Sequence, residues 1–345
     1  MTTDLKIQRS SGECVTAVFI MQKAFALLER LRDGQAHSGE DIAAQLGVTR
    51  AAVWNQVKRL RAEGVEVHAV SGKGYRLPGG YEFLDQQLIE LALSHAGCRA
   101  IRSVRVERVT NSTNQRLLDA IGDADIHGAV WLAEYQSRGR GRRGGSWLAP
   151  PGSGLCLSLG WCFDSPPASL SALGLVVGVA LVRALTRLGA RDLKLKWPND
   201  IYHEEHKLGG ILIEMRSEFS GPCTVVIGVG INVALTADAR ARINEPITDI
   251  AASCRKVLSR NVVAAAIINE LAGVLDDFKQ TGFTPYREEW QRHDMLVGRP
   301  LQLEMTDKTV AGVGCGVGPE GMLLIEKDGK IESFLSGHIV LDPQL

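Results

Sequence analysis

The hydrophobic pattern at the start of the chain is that of three short helices. Apolar residues recur at helical spacing over residues 24–31 and again over 50–63, with a shorter helix between them. Ser38 and Thr49 precede the second and third helices, where a side-chain oxygen can cap free backbone N–H groups. Gly47 ends the second helix in a tight turn. Helix, glycine turn and helix form the pattern of a helix-turn-helix motif.

A hairpin is predicted after the third helix. Residues 65–70 alternate between apolar and polar positions, and a glycine-containing turn leads into a second strand at 75–77. Six basic and two acidic residues lie from Arg50 to Arg76, so this segment is locally positive. We therefore predict a winged helix-turn-helix that places its third helix in the major groove of DNA. The alternative is a protein-interaction module, since winged helices also dock proteins. The residues expected to contact DNA are Ser38, Thr49, Arg50, Ala51, Asn55, Lys58 and Lys73.

Strands and helices mix beyond a Pro-Gly-Gly linker, which indicates an α+β fold. Strands are predicted at 104–109, 129–134, 155–159, 193–196 and 225–232, and helices at 168–189 and 262–279. Short strands at 300–304, 309–313, 322–326 and 331–335, joined by Gly and Asp turns, predict a small antiparallel β-domain. The expected parts are an N-terminal extension at 1–20, the winged helix-turn-helix at 21–80, a central domain at 81–292 and the small β-domain at 293–345.

Composition narrows the possible partners and the compartment. The 345 residues include 39 basic and 39 acidic side chains, so the formal net charge is zero. Such a chain does not bind nucleic acid or membranes through bulk charge, and any DNA-binding surface must be local. The seven cysteines form no Cys-x-x-Cys pair, which favours a reduced, cytoplasmic protein without a structural zinc site. An apolar patch at 15–22 is too short to span a bilayer, and we expect no membrane association.

A glycine- and arginine-rich segment, Gly-Arg-Gly-Arg-Arg-Gly-Gly-Ser-Trp, occupies residues 139–147 between two predicted strands. Arginine forks suit phosphates and carboxylates, and glycines let the backbone approach a ligand closely. This segment is therefore a candidate lid that is structureless until it closes over an anion. A solvated charged loop and an RNA-binding Arg-Gly segment are the alternatives.

Four further motifs stand at the ends of predicted strands. Residues 111–114, Asn-Ser-Thr-Asn, either cap a helix or hold a ligand. Lys196 precedes a rigid Trp-Pro-Asn-Asp turn, and Lys-Leu-Gly-Gly follows at 207–210. Gly-x-Gly-x-Asn at 228–232 permits close approach of a ligand or of other backbone. His-Glu-Glu-His at 203–206 contains metal-ligand types, but its place in an apparent hairpin loop favours a solvated turn.

Taken together and in this order, these motifs resemble the biotin protein ligase family. With the winged helix-turn-helix in front, the chain resembles the bifunctional members that are both ligase and biotin operon repressor, over roughly residues 22–340. The resemblance implies a class II synthetase-like central domain with a mixed sheet and an SH3-like C-terminal β-barrel. The chain departs from the family at four positions. Gly145 replaces an arginine, Asn111 an aspartate, Cys156 a tyrosine, and His338 an acidic residue.

The resemblance also implies a reaction. Biotin is joined to AMP at the expense of ATP, with Mg²⁺ neutralising the departing pyrophosphate, and a lysine of a biotin carboxyl carrier protein then attacks the mixed anhydride. Cations at the meeting point of carboxylate and α-phosphate lower the barrier, because negative charge accumulates there. Operator DNA and a second copy of the chain are the other implied partners, since repression calls for a homodimer on a palindromic site.

Carried over residue by residue, the resemblance implies the following site. The catalytic residues are Arg142 and Lys196. The biotin-binding residues are Ser112, Thr113, Asn114, Gln136, Gly139, Arg140, Gly141, Arg142, Lys196 and Gly209. The nucleotide-binding residues are Arg140, Arg142, Arg143, Trp147, Lys196, Asn199 and Asn232. The sequence identifies no ligands for a metal. Two alternatives stay open, namely a DNA-binding repressor with weak or lost ligase activity, and a lipoate-type ligase.

Overall fold

The structure is a computed structural model that describes residues 11–164, 170–217, 223–243 and 245–341. Residues 1–10 of the predicted N-terminal extension, and residues 168–169 of a predicted helix, lie outside the described residues. The described part of the chain contains a winged helix-turn-helix, a central domain built on one large sheet, and a small C-terminal β-domain, as predicted.

The winged helix-turn-helix contains three helices and a two-stranded antiparallel hairpin. They are α1 (Ser11–Leu31), α2 (Gly39–Leu46), α3 (Arg50–Ala62), β1 (His68–Val70) and β2 (Gly74–Arg76). The predicted caps are confirmed, since Ser38 Oγ accepts from the Asp41 N–H at 3.0 Å and Thr49 Oγ1 from the Ala52 N–H at 3.2 Å. The first helix begins upstream of residue 24, because Met21 packs into the same buried core as the residues that follow it.

The central domain is a seven-stranded mixed sheet flanked by helices. Its elements are α4 (Gln86–His95), β3 (Ser103–Thr110), α5 (Thr113–Ala120), β4 (Ala129–Gln136), β5 (Gly154–Phe163), α6 (Leu173–Arg187), β6 (Leu193–Lys196), β7 (Asp200–His203), β8 (His206–Ser217), β9 (Cys223–Asn232), α7 (Ala237–Ala241), α8 (Ile250–Cys254), α9 (Arg260–Thr281) and α10 (Thr284–His293). The strand order is β3-β4-β5-β9-β8-β7-β6. Only the β3–β4 pair is parallel.

Both faces of the sheet are covered. The long helices α6 and α9 pack together over one face, and α5 covers part of the other, where Leu117 and Leu118 meet Val226. The segment Leu170–Arg187 is long and apolar enough to cross a membrane, with a mean hydropathy of 1.7. In this fold 67% of the segment is buried, which is the placement of a core helix.

The C-terminal domain is a five-stranded antiparallel sheet in the order β13-β12-β11-β10-β14. Its strands are β10 (Pro300–Glu304), β11 (Thr309–Val317), β12 (Leu323–Lys327), β13 (Lys330–Phe334) and β14 (His338–Leu341). The first four were predicted; β14 was not, because it is short and follows Gly337 directly. The SH3-like barrel stays a prediction.

The domains are joined by buried contacts. Apolar residues of the C-terminal sheet, such as Leu301 and Leu303, belong to the same hydrophobic core as α6 and α9. Trp197 Nε1 donates to the Gly321 carbonyl oxygen at 3.1 Å, so the turn between β6 and β7 rests on the last domain. At the other end, Arg108 of β3 pairs with Glu29 of α1 at 2.7 Å.

Candidate active site

A cavity of about 520 Å³ lies between the central sheet, residues 139–147 and the start of β14. Five basic residues line this main cavity (Arg140, Arg142, Arg143, Lys196 and Lys207), against three acidic ones (Asp200, Glu245 and Glu304). The predicted site residues on its wall are Ser112, Thr113, Asn114, Gln136, Arg140, Gly141, Arg142, Arg143, Trp147, Lys196 and Asn199. The fold therefore brings together, from four separate segments, most of the residues that the sequence motifs singled out.

Residues 139–147, called the lid below, form a folded hairpin loop. Within it the Gly141 N–H donates to the Gly145 carbonyl oxygen at 2.7 Å and the Trp147 N–H to the Gly139 oxygen at 3.0 Å. Arg142–Gly144 form a short 3-10 turn. The lid is folded in this structure because its own backbone hydrogen bonds close the loop at the base, and the dependence of that fold on a bound anion stays a prediction.

The three lid arginines contact three different parts of the fold. Arg140 Nη2 pairs with Glu214 at 2.8 Å, and Arg143 Nη1 reaches the Glu304 carbonyl oxygen of the last domain at 3.4 Å. Arg142 Nη1 donates to Asn199 Oδ1 at 3.2 Å, and Asp200 is the acidic neighbour that partly offsets its positive charge. Burial and the neighbouring Arg143 lower the pKa of Arg142, but an arginine stays protonated at neutral pH. Arg142 is thus held as a cation facing the cavity.

Two lysines flank the turn that follows β6. Lys196 ends β6, and burial lowers its pKa while Asp200 opposes that effect. Lys207 begins the inner part of β8, and its Nζ lies 3.2 Å from Asp200 Oδ2. The sequence motifs contained Lys207, but it was not among the predicted site residues. Lys207 could have been predicted as a site residue because it is the first residue of the Lys-Leu-Gly-Gly motif. This motif follows the Trp-Pro-Asn-Asp turn across a hairpin.

A polar pocket floors the cavity on the side of α5. The Thr113 N–H donates to Gln136 Oε1 at 2.7 Å, and Thr113 Oγ1 lies 3.1 Å from the same oxygen. Ser158 of β5, which was not predicted, donates to Asn114 Oδ1 at 2.5 Å. Ser112 occupies the N-cap position of α5 without making a capping hydrogen bond. Capping by Ser112 therefore does not explain the Ser-Thr-Asn motif, and a ligand-binding role is favoured.

The Gly-x-Gly motif of β9 makes room for two of these side chains. A Cβ at Gly228 would collide with Asn114 Oδ1, and one at Gly230 would collide with the Trp147 ring. These glycines let a polar pocket and an aromatic wall lie directly on the sheet.

Comparison with known proteins agrees with this geometry. Residues 23–76 match a helix-turn-helix domain, and residues 106–232 match the biotin/lipoate A/B protein ligase family. The chain is 40% identical to the bifunctional ligase/repressor BirA of Salmonella typhimurium, over 91% of this chain and 96% of that protein. It is 30% identical to the protein of the same name from Bacillus subtilis, over 88% and 93%. The chain belongs to the biotin protein ligase family.

A solved biotin protein ligase shares this architecture. The Aquifex aeolicus enzyme in complex with biotin and ATP superposes with a TM-score of 0.60 at 26% identity, covering 70% of this chain and 98% of that one.

Three site residues predicted for this biotin protein ligase lie off the main cavity. Gly139 faces the Trp147 carbonyl at the base of the lid, where no side chain would fit. Gly209 faces Ile231, and Gly210 faces the cavity in its place, because successive strand residues point to opposite sides. Asn232 donates to the Thr248 carbonyl oxygen at 3.0 Å and borders a side cavity of about 310 Å³. Trp147 and Lys207 line both cavities.

The acidic residues near the main cavity decide whether this biotin protein ligase can bind Mg²⁺ there. Among the described residues, no group of three or more His, Cys, Asp or Glu side chains could hold a metal ion. The predicted solvated turn at 203–206 is a hairpin turn, with Glu205 paired to Arg299 at 3.0 Å. Asp200 and Glu245 still offer the oxygen ligands that Mg²⁺ prefers. They fit an ion that takes most of its ligands from phosphate and water.

Six of the seven predicted DNA-contacting residues, including Thr49, are exposed on the winged helix-turn-helix, and Ser38 is half-buried as the cap of α2. Arg50, Ala51, Asn55 and Lys58 are exposed along α3, and Lys73 is exposed at the tip of the wing. Sequence reasoning missed Trp54, whose side chain is 51% exposed on this face of α3. Lys58 Nζ lies 4.4 Å from the centre of the Trp54 ring, which is a cation–π contact.

Proposed function

We propose that the protein is an ATP-dependent biotin protein ligase and a biotin operon repressor. It forms biotinyl-5'-AMP, transfers biotin to a lysine of a biotin carboxyl carrier protein, and binds operator DNA as a liganded homodimer in the cytoplasm. The observation that carries the proposal is the main cavity, where three free or partly paired cations face a pocket of amide and hydroxyl groups. The bifunctional relatives, at 30–40% identity over most of the chain, support both activities.

The cations serve the first step of the reaction. A biotin carboxylate oxygen attacks the α-phosphorus of ATP, and the bond from that phosphorus to pyrophosphate breaks. Two anions must meet, so Arg142, Lys196 and Lys207 stabilise the transition state by placing positive charge where negative charge accumulates. Asp200 fixes Lys207 through their 3.2 Å ion pair. Asp200 and Glu245 would hold Mg²⁺ together with the phosphates, and the ion would supply further neutralisation of the leaving group.

In the second step, the amine of the acceptor lysine attacks the carbonyl carbon of the anhydride, and AMP leaves. The lid matters here because the anhydride is hydrolysable, and a closed loop excludes water. Trp147 lines both cavities and thus lies where the two substrates would meet.

Each cavity suits one substrate. The ureido ring of biotin is a polar group in an otherwise apolar ligand, and Ser112, Thr113 and Gln136 present fixed donors and acceptors for it. The side cavity, bounded by Trp147 and Asn232, suits the adenine ring, which stacks on aromatic faces and hydrogen-bonds to amides.

DNA binding follows from the exposed face of α3. Arg50, Lys58 and Lys73 contact phosphates, and Asn55 reads base edges in the major groove. A single small domain of this charge binds one half-site weakly, so two copies on a palindromic operator are required.

The test is a single set of incubations of the pure protein. Biotin, ATP, Mg²⁺ and a biotin-acceptor domain should give an acceptor whose mass rises by one biotinyl group, and lipoate in place of biotin should not. Operator binding is measured with no ligand, with biotin, and with biotin plus ATP. Absence of acceptor biotinylation, with ligand-dependent DNA binding retained, would favour a repressor that has lost ligase activity. Equal DNA affinity in all three mixtures would remove the repressor function.

A further inference from the structure

We propose that Glu214 is a positioning residue that transmits occupancy of the biotin pocket to the lid. The inference rests on the proposed function, since it concerns how the two parts of the same site act together. Glu214 lies on β8, outside the lid, and is not one of the predicted site residues.

One carboxylate oxygen joins the lid to the pocket. Glu214 Oε2 accepts a hydrogen bond from Arg140 Nη2 at 2.8 Å and another from Asn114 Nδ2 at 2.9 Å. The Glu214 side chain is 26% exposed, so solvent screens these charge-assisted bonds only in part. Both donors therefore depend on the position of a single acceptor atom.

The far end of Asn114 continues this chain of hydrogen bonds. Its Oδ1 accepts from Ser158 Oγ at 2.5 Å, and Ser158 Oγ lies 2.7 Å from the Thr113 hydroxyl. Since the single Ser158 proton goes to Asn114, the Thr113 hydroxyl is the donor in this 2.7 Å contact, and the Thr113 backbone N–H donates to Gln136 Oε1 at 2.7 Å. A continuous relay thus runs from Gln136, through Thr113, Ser158 and Asn114, to Glu214 and then Arg140.

Asn114 has little freedom to leave this relay. Gly228 lies directly beneath its amide, where even a Cβ would collide with Oδ1, and Asn114 Nδ2 also contacts the Leu212 carbonyl oxygen at 3.2 Å. Hydrogen bonds within a buried network polarise and support one another. A ligand that fixes Gln136 and Thr113 therefore also fixes Asn114, and Asn114 holds the Glu214 carboxylate where Arg140 needs it.

Arg140 consequently acts as an anchor of the lid. Its charge is already matched by Glu214, and its backbone bridges to Ser146 across the base of the hairpin. Arg142 is the lid cation that faces the cavity, and its guanidinium donates to the neutral Asn199 amide rather than to a carboxylate. Arg140 therefore anchors the lid, whereas Arg142 binds the anion.

The negative charge of Glu214 is required because both of its neighbours are donors. Glutamine keeps the shape and can still present one oxygen to both donors, but it loses the negative charge that strengthens the bond from the Arg140 guanidinium. We expect Glu214→Gln to raise the KM for biotin about tenfold or more, which is the range for losing a charge-assisted hydrogen bond, with the KM for ATP changed less than about threefold. Biotin should also protect the lid of this variant from a broad-specificity protease much less than it protects the wild-type lid.

The matched control is Glu107→Gln. Glu107 Oε2 accepts from Arg116 Nε at 3.1 Å, so this variant also removes an arginine–carboxylate pair, but on β3 away from the cavity. It should leave both KM values and lid protection at wild-type levels. Calorimetry of biotin binding compares the two variants without any turnover. If the wild-type protein were inactive, the proposed function would be wrong, but the effect of Glu214 on biotin affinity would still be measured.

Three outcomes would overturn the relay. The first is a Glu214→Gln protein with wild-type biotin affinity and wild-type lid protection. The second is an equal loss of biotin affinity and lid protection in Glu107→Gln. The third concerns Arg140→Gln, which also serves if Glu214→Gln does not fold. This variant removes the other end of the pair at a half-exposed position. The relay predicts that Arg140→Gln raises the KM for biotin, whereas a rise confined to the KM for ATP would make Arg140 a phosphate ligand and contradict the relay.

Discussion

Glu63, the residue that ends α3, accepts a 2.9 Å hydrogen bond from Arg242, which directly follows α7 of the central domain. The next residue, Gly64, accepts from the Thr236 hydroxyl at 3.1 Å. Glu63 and Arg242 also border a groove of about 810 Å³ whose opposite wall is the lid. The helix that faces DNA is therefore fixed to a segment beside the ligand site.

This pair should contribute to the coupling between ligand and DNA. Glu63→Gln is expected to lower operator affinity in the presence of biotin and ATP by about two- to fivefold, because a partly exposed ion pair is worth up to about 1 kcal/mol. Ligand-free DNA binding and the rate of biotinylation should change little. Fluorescence anisotropy of a labelled operator measures the first effect. The exchanged double variant, Glu63→Arg with Arg242→Glu, should recover part of the affinity, and no change in either variant would exclude this route.

The two lysines of the main cavity should both be needed for adenylate formation. Lys196→Ala and Lys207→Ala are each expected to raise the activation free energy of biotinyl-AMP formation by about 2–3 kcal/mol, as for the loss of one positioned transition-state donor. The rate should fall roughly a hundredfold. The thermal midpoint should be nearly unchanged, since neither side chain belongs to the hydrophobic core. Lys194→Ala, an exposed lysine on the same strand, is the control. Wild-type rates in both cavity variants would show that the lysines do not stabilise the transition state.

Gly145 allows the missing lid arginine to be restored. Its backbone is extended, with φ −62° and ψ 159°, and a Cβ would approach only the Arg142 carbonyl oxygen at 3.1 Å. Gly145→Arg should therefore lower the KM for ATP about threefold to tenfold, as for a partly exposed charge-assisted contact, and leave biotin affinity unchanged.

The neighbouring residue provides the comparison for this substitution. Gly144 has φ +76°, so Gly144→Arg should strain the lid and raise the KM for ATP. If Gly145→Arg leaves the ATP dependence unchanged, another lid arginine already supplies the charge.

Asp294, at the junction of the central and C-terminal domains, should make stability depend on pH. Burial raises the pKa of this carboxyl to about 6, although its contact with the Leu296 N–H opposes the shift. The folded state thus binds the proton more tightly than the unfolded state, and this contribution is lost as pH rises from about 4 through 6. Asp294→Asn should gain stability relative to wild type over that range, by at most about 3 kcal/mol. Thermal unfolding at about pH 4 and about pH 7, at the lower end of this range and above its upper end, tests the dependence, with the exposed Asp307→Asn as control.

Local rules accounted for much of the fold. Caps at Ser38 and Thr49, the turn at Gly47 and the alternating strands all follow from interactions between residues close in sequence, and the structure confirms them. The convergence of the motif residues on the main cavity was implied by the resemblance to the biotin protein ligase family. The start of α1 was not predictable, since a helix continues for as long as tertiary packing supports it.

The finer assignments needed the structure because they depend on strand register and on distant partners. Gly209 and Gly210 are indistinguishable by composition, and only the register decides which faces the ligand. Arg140 and Arg142 occupy equivalent places in the lid sequence, yet one finds a carboxylate and the other an amide. Glu214 and Ser158 lie in ordinary strands, where nothing local marks them as parts of the site.

The hydrogen bond from Trp197 to Gly321 limits how this chain can be shortened. The turn that carries Lys196 and Asn199 is braced by the last domain, and residues 337–339 of that domain close the cavity mouth. A fragment ending near residue 293 would keep every motif shared with the ligase family and still lose one wall of its reaction chamber. Anyone engineering a minimal labelling enzyme from this protein should therefore trim the winged helix first and leave the C-terminal strands in place.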